Sequence, residues 1–570
     1  MSIKGYISLV LHAHIPYVMS HGSWPHGTDW LNEAAAESYI PLLGVFNSLL
    51  DDGIKPNIVL SFSPILAYQL STDEFKSGFK SYLRNRIDTA ENDCRGFEQS
   101  GDMEKAGLAL DWKNFFLGVL TQFTSKYNED IPYAFRKLKE QHAIEIIPSS
   151  ATHAYLPLIG DDSMVNLQIK LASEAFNKYF GGRPSGIWLP ECAYRPAYKW
   201  EYPVSGHTDK ADRKGIEEFL EEEEIGYFFV DSHMVEGGES GTSYGKIDNL
   251  EKGREKFKKN MYYSSQKGSR SVYNPFYVNS TSEKVKKITA FVRDPAISLQ
   301  VWSGEWGYPG DGNYLEFHKK NFPGGHRYWK ITSAKSDLGE KEIYGPDAAG
   351  NMVKSHASHF RQLLKERLSS FNGQSEGRSL LVSPFDAELF GHWWFEGPRW
   401  IDEVCRGIHA DDEIEMITCS DYLDFCHPQK TVTLPEGSWG EGGSHMLWFN
   451  ERTEWTWGYI YDAEKIFKSM YRKVSEQNIE EAKPYMGQML REILLLQSSD
   501  WQFLISTSTA SDYAEKRICE HFDNFTKLSK VCENILNGFL PSEDDNQFLD
   551  GCISRNGIFS GIDVLSFYEY

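Results

Sequence analysis

Seven short apolar runs recur along the chain, and each closes on polar residues: GYISLVLHAH, KPNIVLSFSP, AIEIIPSSATH, SGIWLPE, IGYFFVDSH, ISLQVWSGE and SLLVSPFDAE. The runs are continuous rather than alternating, and rich in β-branched and aromatic residues. Strands buried on both faces of a parallel sheet read this way. Helical patterns lie between most of them. ESYIPLLGVFNSLLDDG stops at Gly53, NLQIKLASEAFNKYFGG at Gly181 and Gly182, and DKADRKGIEEFLEEEEIG at Gly226. Strand alternating with helix predicts a parallel α/β architecture. In barrels of that kind the reacting side chains sit at the C-terminal ends of the strands. The polar clusters of this chain fall there.

Two regions break the rhythm. Residues 72–140 are too long for one crossover. Phe75, Phe79, Tyr82, Leu83 and Ile87 make one helical face there, with Ser71 and Glu74 spaced as a capping box. Trp112, Phe115, Phe116, Val119 and Phe123 make another. After FCHPQ, a Gly-rich stretch (EGSWGEGGSH) opens a segment that is helical from 461 to 538, ending at Gly538. The expected division is a catalytic barrel in two parts, 1–71 and 141–427, a helical insertion at 72–140, and a C-terminal helical domain at 428–570.

Composition narrows the function. A formal net charge of −22, from 59 Lys+Arg against 81 Asp+Glu, disfavours nucleic acid or an anionic membrane as partner. Aromatic residues are 14% of the chain, with 16 Trp, which suits stacking on the C–H faces of sugars as well as a Trp-rich core. The eight cysteines are scattered without a CxxC pair, as in a reducing compartment. No apolar stretch reaches a membrane span, and the first run, broken by His12 and His14, lacks a cleavage pattern. The expectation is a cytoplasmic protein.

Glu191 follows Ile187, Trp188, Leu189 and Pro190 at the end of the fourth run, and Asp386 ends the seventh. A carboxylate at the end of an apolar run is costly to bury unpaired. Both are either ion-paired or held for chemistry. Two carboxylates across one mouth are what glycoside cleavage needs, one to protonate the leaving oxygen and one to attack or to activate water. His12 and His14 admit three readings: sugar hydrogen-bonding, a zinc site with Asp231 or His153, or satisfied core histidines. No HExxH pattern or Cys pair supports the metal. Gly245-Lys246 is followed by Ile247, so no phosphate-binding loop is present.

LHAHIPY, WLPECAY and SPFDAELFGHWWFEG together resemble the signature regions of glycoside hydrolase family 57. LQVWSGEWGYPGDGNY and LPEGSWGEGG are similar to its 1,4-α-glucan branching enzyme subgroup, as are REILLLQSSDW and YAEKRICEHF to that subgroup's C-terminal domain. The resemblance implies a (β/α)7 barrel and a retaining mechanism without metal or cofactor, acting on an α-glucan. It makes Glu191 the nucleophile and Asp386 the general acid/base. It implies that His12, His14 and His153 line the donor sugar site, with Asp231 and His233 among the substrate-binding residues. Trp302, Trp393, Trp394 and Trp439 become glucan platforms, with Trp448 a further candidate, and Tyr244 a covering residue on a loop after the fifth strand. The basic stretch 249–287 is longer than the family pattern. A mainly hydrolytic enzyme of the α-amylase type and a non-catalytic glycan-binding protein are the alternatives. A monomer or small homo-oligomer is expected.

Overall fold

The computed structural model describes residues 3–207, 210–236, 270–283, 285, 287–304, 306–371 and 379–569. Seven strands form its centre: β1 (Gly5–Ala13), β2 (Ile58–Phe62), β3 (Ile144–Ile147), β4 (Gly186–Ile187), β5 (Tyr227–Val230), β6 (Thr289–Val292) and β7 (Leu380–Asp386). One parallel ladder runs β7-β1-β2-β3 and a second runs β4-β5-β6. Two parallel bridges, Ser149 with Trp188 and Arg293 with Val382, join the ladders at both seams. Trp188 N donates to Pro148 O at 2.9 Å, and Asp294 N to Val382 O at 3.1 Å. The ring is thereby closed as a seven-stranded (β/α) barrel. β2 to β6 are buried at every position, which is why their sequences do not alternate.

Six of the seven expected runs supply a strand, and one does not. ISLQVW lies in a helix, Pro295–Trp302. The sixth strand is the segment just before it, TAFV. Asp294 decides the difference. Its carboxylate accepts from the backbone N–H of Ala296 and Ile297, both at 2.9 Å, and Pro295 pre-sets the first helical φ. Ile297 and Val301, one turn apart, then face the core.

The third expected helix also starts later than its pattern suggested. Lys210–Arg213 is a strand paired antiparallel with Tyr198–Glu201, and the helix runs only from Ile216 to Glu222. Arg213 holds the strand in place. Its buried guanidinium lies over the Trp200 ring at 4.1 Å and donates to the carbonyls of Pro157 and Ile159.

The 72–140 insertion is helical, with helices Asp73–Ser100, Met103–Thr121 and Ile131–Glu140. Its cap is Thr72, not Ser71: the Thr72 hydroxyl accepts from Phe75 N, whereas Ser71 bonds back to Ala67 O. Phe75, Phe79 and Leu83 are buried as expected, as are Trp112, Phe116, Val119 and Phe123.

The C-terminal helices include Glu454–Gln477, Lys483–Leu496, Asp500–Thr507 and Ser511–Leu536. The Lys483–Leu496 helix is buried on nearly every side. Each of Leu490, Ile493 and Leu494 contributes about 1.5–3 kcal/mol by burial. That helix points its C-terminal end at the barrel mouth. Among the described residues no helix is long and apolar enough to cross a membrane.

Candidate active site

The chain leaves β4 through Leu189 and Pro190 and turns sharply. Glu191 (φ 63°) and Cys192 (φ 48°) both lie in the left-handed region, a conformation costing of order 1–3 kcal/mol per non-glycine residue. The turn is closed by Cys192 N to Leu189 O (2.9 Å) and Ala193 N to Pro190 O (3.0 Å). Its effect is to tuck Cys192 into the core and turn the Glu191 carboxylate into the mouth. Trp439 holds Glu191 at two points: its indole Nε1–H donates to the carboxylate Oε2 at 2.7 Å, and its backbone N–H donates to the Glu191 main-chain carbonyl at 3.0 Å. Ser499 Oγ lies 3.4 Å from Oε1. Burial pushes the Glu191 carboxyl up to about 8. Asp386 and Asp500 add to the rise, and the Trp439 bond and His14 oppose it.

Asp386 is the last residue of β7 and sits beside His12 in the β1–β7 register. Burial, and then the charge of Glu388, hold it well above the ordinary carboxylate range. Glu388 is itself pushed up to about 7 by burial while it accepts from the Tyr39 hydroxyl and, at 3.0 Å, from His14 N. The charge of Asp386 bears on Glu191, so the two carboxyls lie near one another at the strand ends. Both acids are thus pushed towards their protonated forms, chiefly by burial.

Three histidines pack against this pair. His12 Nε2 meets His153 Nε2 at 3.0 Å, and its Nδ1 meets Ser61 Oγ at 2.9 Å. His153 Nδ1 meets Ser499 Oγ at 2.9 Å. His14 contacts Ser63 Oγ at 2.9 Å and the Asp500 carboxylate at 3.0 Å. Burial holds His12 and His153 well below the usual histidine range, so both are neutral. Burial alone would raise Asp500, but the charge and hydrogen bond of His14 outweigh it and bring it down to about 2.

His14, His153 and Asp500 offer ligand atoms within 4.8 Å of one another. The donor types suit zinc. Their arrangement does not: the His14 and His153 rings are stacked at 3.9 Å and 14°, so their lone pairs lie in separate, nearly parallel planes and one ion cannot sit in both.

Ser499 and Asp500 come from the C-terminal helices. Ser498 bridges to Ala154, and Ser499 N donates to the His153 carbonyl at 3.0 Å. A buried chain anchors the segment: Gln168 donates to Gln497 at 3.0 Å, and Gln497 to Glu464 at 2.8 Å. Neither Ser499 nor Asp500 was singled out from the sequence. The signal was present in LLLQSSDW, an apolar run ending in polar residues like those that marked the strands.

The remaining expected residues divide. Trp439 holds Glu191. Trp302 is half-buried, edge-on to Trp439 at 6.3 Å. Trp393 is 54% exposed and stacked on Phe317 at 4.4 Å, a face open to a ligand. Trp394, expected as a platform, is instead a core residue, 1% exposed among Phe390, Tyr314 and Trp400. Trp448 is likewise buried, stacked on Tyr155 at 4.5 Å. Asp231 is buried in a two-bond pair with Arg293 (2.8 and 3.2 Å), whose guanidinium lies over Trp439 at 5.6 Å. Through Arg293 it backs Trp439. His233 stands 3.5 Å from Asp231, against Gly443. Trp188, not singled out as a site residue, stacks under His12 at 4.9 Å. Tyr244 and most of the 249–287 stretch lie outside the described residues.

Comparison with known proteins places this geometry. Residues 8–435 match the sequence family described as glycosyl hydrolase family 57, and residues 459–567 match the one described as 1,4-alpha-glucan branching enzyme, C-terminal. The chain is 39% identical over 528 residues to a 1,4-alpha-glucan branching enzyme of Thermococcus kodakarensis, spanning 92% of this chain and 74% of that one. The crystal structure of a GH57 branching enzyme from Thermococcus kodakaraensis, in complex with glucose and additives, superposes with a TM-score of 0.88 at 37% identity. It covers 100% of this chain and 97% of that chain. The α-amylase AmyC from Thermotoga maritima superposes with a TM-score of 0.79 at 28% identity, over all of both chains.

Proposed function

This chain belongs to glycosyl hydrolase family 57, and on that premise we propose that it is a glucan-branching transglycosylase with Glu191 as nucleophile and Asp386 as general acid/base. The enzyme cleaves an α-1,4 bond of a glucan and transfers the released chain to a 6-hydroxyl.

The reaction follows from the charges in the mouth. The Glu191 carboxylate attacks C1 of the donor glucose while Asp386 gives its proton to the departing 4-oxygen. A glycosyl ester of Glu191 forms and the reducing-end fragment leaves. The 6-hydroxyl of an acceptor glucan then attacks C1. Asp386, now a carboxylate, takes its proton, Glu191 is freed, and an α-1,6 linkage results. The working state needs Glu191 ionised and Asp386 protonated. Glu388 beside Asp386 favours its protonated form, and the Trp439 N–H on Glu191 favours the ionised one.

His12 and His153, both neutral and with their ring nitrogens bonded to Ser61, Ser499 and each other, border the donor subsite without adding charge to it. His14, fixed by Ser63 and Asp500, borders the same subsite. Trp302 and Trp393 offer apolar faces along the path of the glucan. In this reading the barrel comprises residues 1–71 and 141–427, the insertion 72–140, and the helical domain 428–570, which supplies Ser499 and Asp500 to the site.

The observation that carries the proposal is the placement of Glu191 just after β4 and Asp386 at the end of β7, beside His12, with the charge of Asp386 bearing on Glu191. Likeness to an α-amylase favours a second reading, in which water takes the acceptor's place. Incubation with amylose, followed by debranching, separates the two. Branching predicts α-1,6 linkages in excess over new reducing ends. New reducing ends without α-1,6 linkages would mean hydrolysis, and neither would mean glycan binding alone.

A further inference from the structure

Trp439 reaches Glu191 from the loop 437–444, whose sequence is GSWGEGGS. A loop so rich in glycine has a large conformational entropy to lose and few side chains of its own to hold it. It nevertheless follows one path. Gly437 exchanges backbone bonds with Tyr194 at 2.9 and 3.0 Å, and Ser438 Oγ donates to Ser444 O at 2.7 Å. At Gly443 (φ 71°) a Cβ would stand 2.3 Å from the His233 ring, so no side chain fits there.

The two residues flanking the loop form its base. His445 Nε2 lies 2.9 Å from Glu436 Oε1. Both residues are buried, and each is held by a tyrosine from elsewhere in the chain. The Tyr198 hydroxyl donates to Glu436 Oε2 at 2.7 Å, and the Tyr155 hydroxyl meets His445 Nδ1 at 2.7 Å. Because the carboxylate only accepts, Nε2 carries the proton of that bond. Every member of the chain Tyr155–His445–Glu436–Tyr198 is therefore satisfied.

We propose that Glu436 and His445 are positioning residues: their buried pair ties the ends of the 437–444 loop together and thereby seats the Trp439 indole N–H on Glu191. The inference rests on the reading of Glu191 as nucleophile and deepens it. Loss of the clip lets the loop relax, and Glu191 loses a donor that favours its ionised form. The groups bearing on Glu191 from other elements are Asp386 (β7), His14 (just after β1), Asp500 and Ser499 (the C-terminal helices) and Tyr155 (after β3). Those bearing on the clip are Tyr155, Tyr198 and Arg213.

The test is the pH dependence of kcat/KM on amylose, measured on the full chain. Trp439→Phe removes the donor directly and moves the acid limb up by about one pH unit. Glu436→Gln moves the limb in the same direction, and the double variant Glu436→Gln/Trp439→Phe moves it no further than Trp439→Phe alone, because both act through one bond. Tyr198→Phe keeps the Glu436 charge and gives a smaller shift of the same sign, which serves if Glu436→Gln folds poorly. If Glu436→Gln or Tyr198→Phe lowers the melting temperature and leaves the acid limb in place while Trp439→Phe moves it, the clip is merely structural and the proposal is overturned. If Trp439→Phe itself leaves the limb unmoved, the Glu191 assignment falls, and this inference with it.

Discussion

His14 and Asp500 are 486 positions apart in the chain and 3.0 Å apart in the fold. One lies just past the end of β1, and the other opens a helix of the C-terminal region. Their contact makes that region part of the active site and not an appendage. Asp500→Asn keeps the shape and removes the charge. A hydrogen bond to a charged group is worth about 1.5–3 kcal/mol, so kcat/KM falls by about one to two orders of magnitude. Circular dichroism should show the fold retained, and a variant with unchanged kcat/KM would remove Asp500 from the site.

Acid sensitivity follows from the same pair. Asp500 is held down to about 2 in the folded chain, against roughly 3.9 for a free Asp. Its contribution to stability is therefore present above about pH 4 and lost as the pH falls towards 2. Asp500→Asn lacks this dependence, so its acid-unfolding curve between pH 4 and 2 is shallower than that of the parent chain. Identical curves would show that His14 does not hold the carboxylate down.

Glu191→Gln abolishes turnover of amylose, since an amide is no nucleophile. The variant should also be more stable than the parent at alkaline pH. The folded Glu191 is raised to about 8, so between the ordinary value near 4.3 and 8 the folded chain binds the proton more tightly than the unfolded one. Stability then drops as pH rises through that window. Melting temperatures of the two proteins should match near pH 4 and diverge by a few degrees at pH 8, with the Gln variant higher. Substantial activity in Glu191→Gln would refute the nucleophile.

Activity survives a chelator. The stacking of His14 on His153 keeps their lone pairs in separate, nearly parallel planes, and Asp500 is already bonded to His14. Inactivation by EDTA that zinc restores would show that the rings rotate to bind metal.

Asp294→Ala removes the cap of the Pro295–Trp302 helix and a bond from the Tyr273 hydroxyl at 2.8 Å. The expected loss of stability is about 1–2 kcal/mol, read by chemical denaturation. Trp302, at the end of that helix, loses its fixed pose, and KM for long glucans rises more than KM for short ones. An equal change for both lengths would show that Trp302 is no platform.

The strand ends were the most legible part of the site. Glu191, Asp386, His12, His14 and His153 all stand where an apolar run meets polar residues, and all meet in one mouth. The sixth strand was missed because TAFV is a shorter apolar run than the helix after it. A cap at Asp294 and a proline at 295 outweighed the β-branched residues of ISLQVW. Trp393 and Trp394 could not be told apart, since neighbours of one residue type carry the same propensity. Packing against Phe317 leaves one at the surface, and packing among Phe390, Tyr314 and Trp400 buries the other.

Taken alone, the sequence determined the repertoire: which segments bury themselves as strands, which acids and imidazoles end them, and where the helical regions begin. Apolar patterning is a local property and can be read one segment at a time. Only the tertiary structure decided that the ring closes through Ser149–Trp188 and Arg293–Val382, that Ser499 and Asp500 return to meet His153 and His14, and that Trp439 settles on Glu191. Those are contacts between residues tens to hundreds of positions apart. They depend on how whole elements dock, and no window of the chain contains both partners.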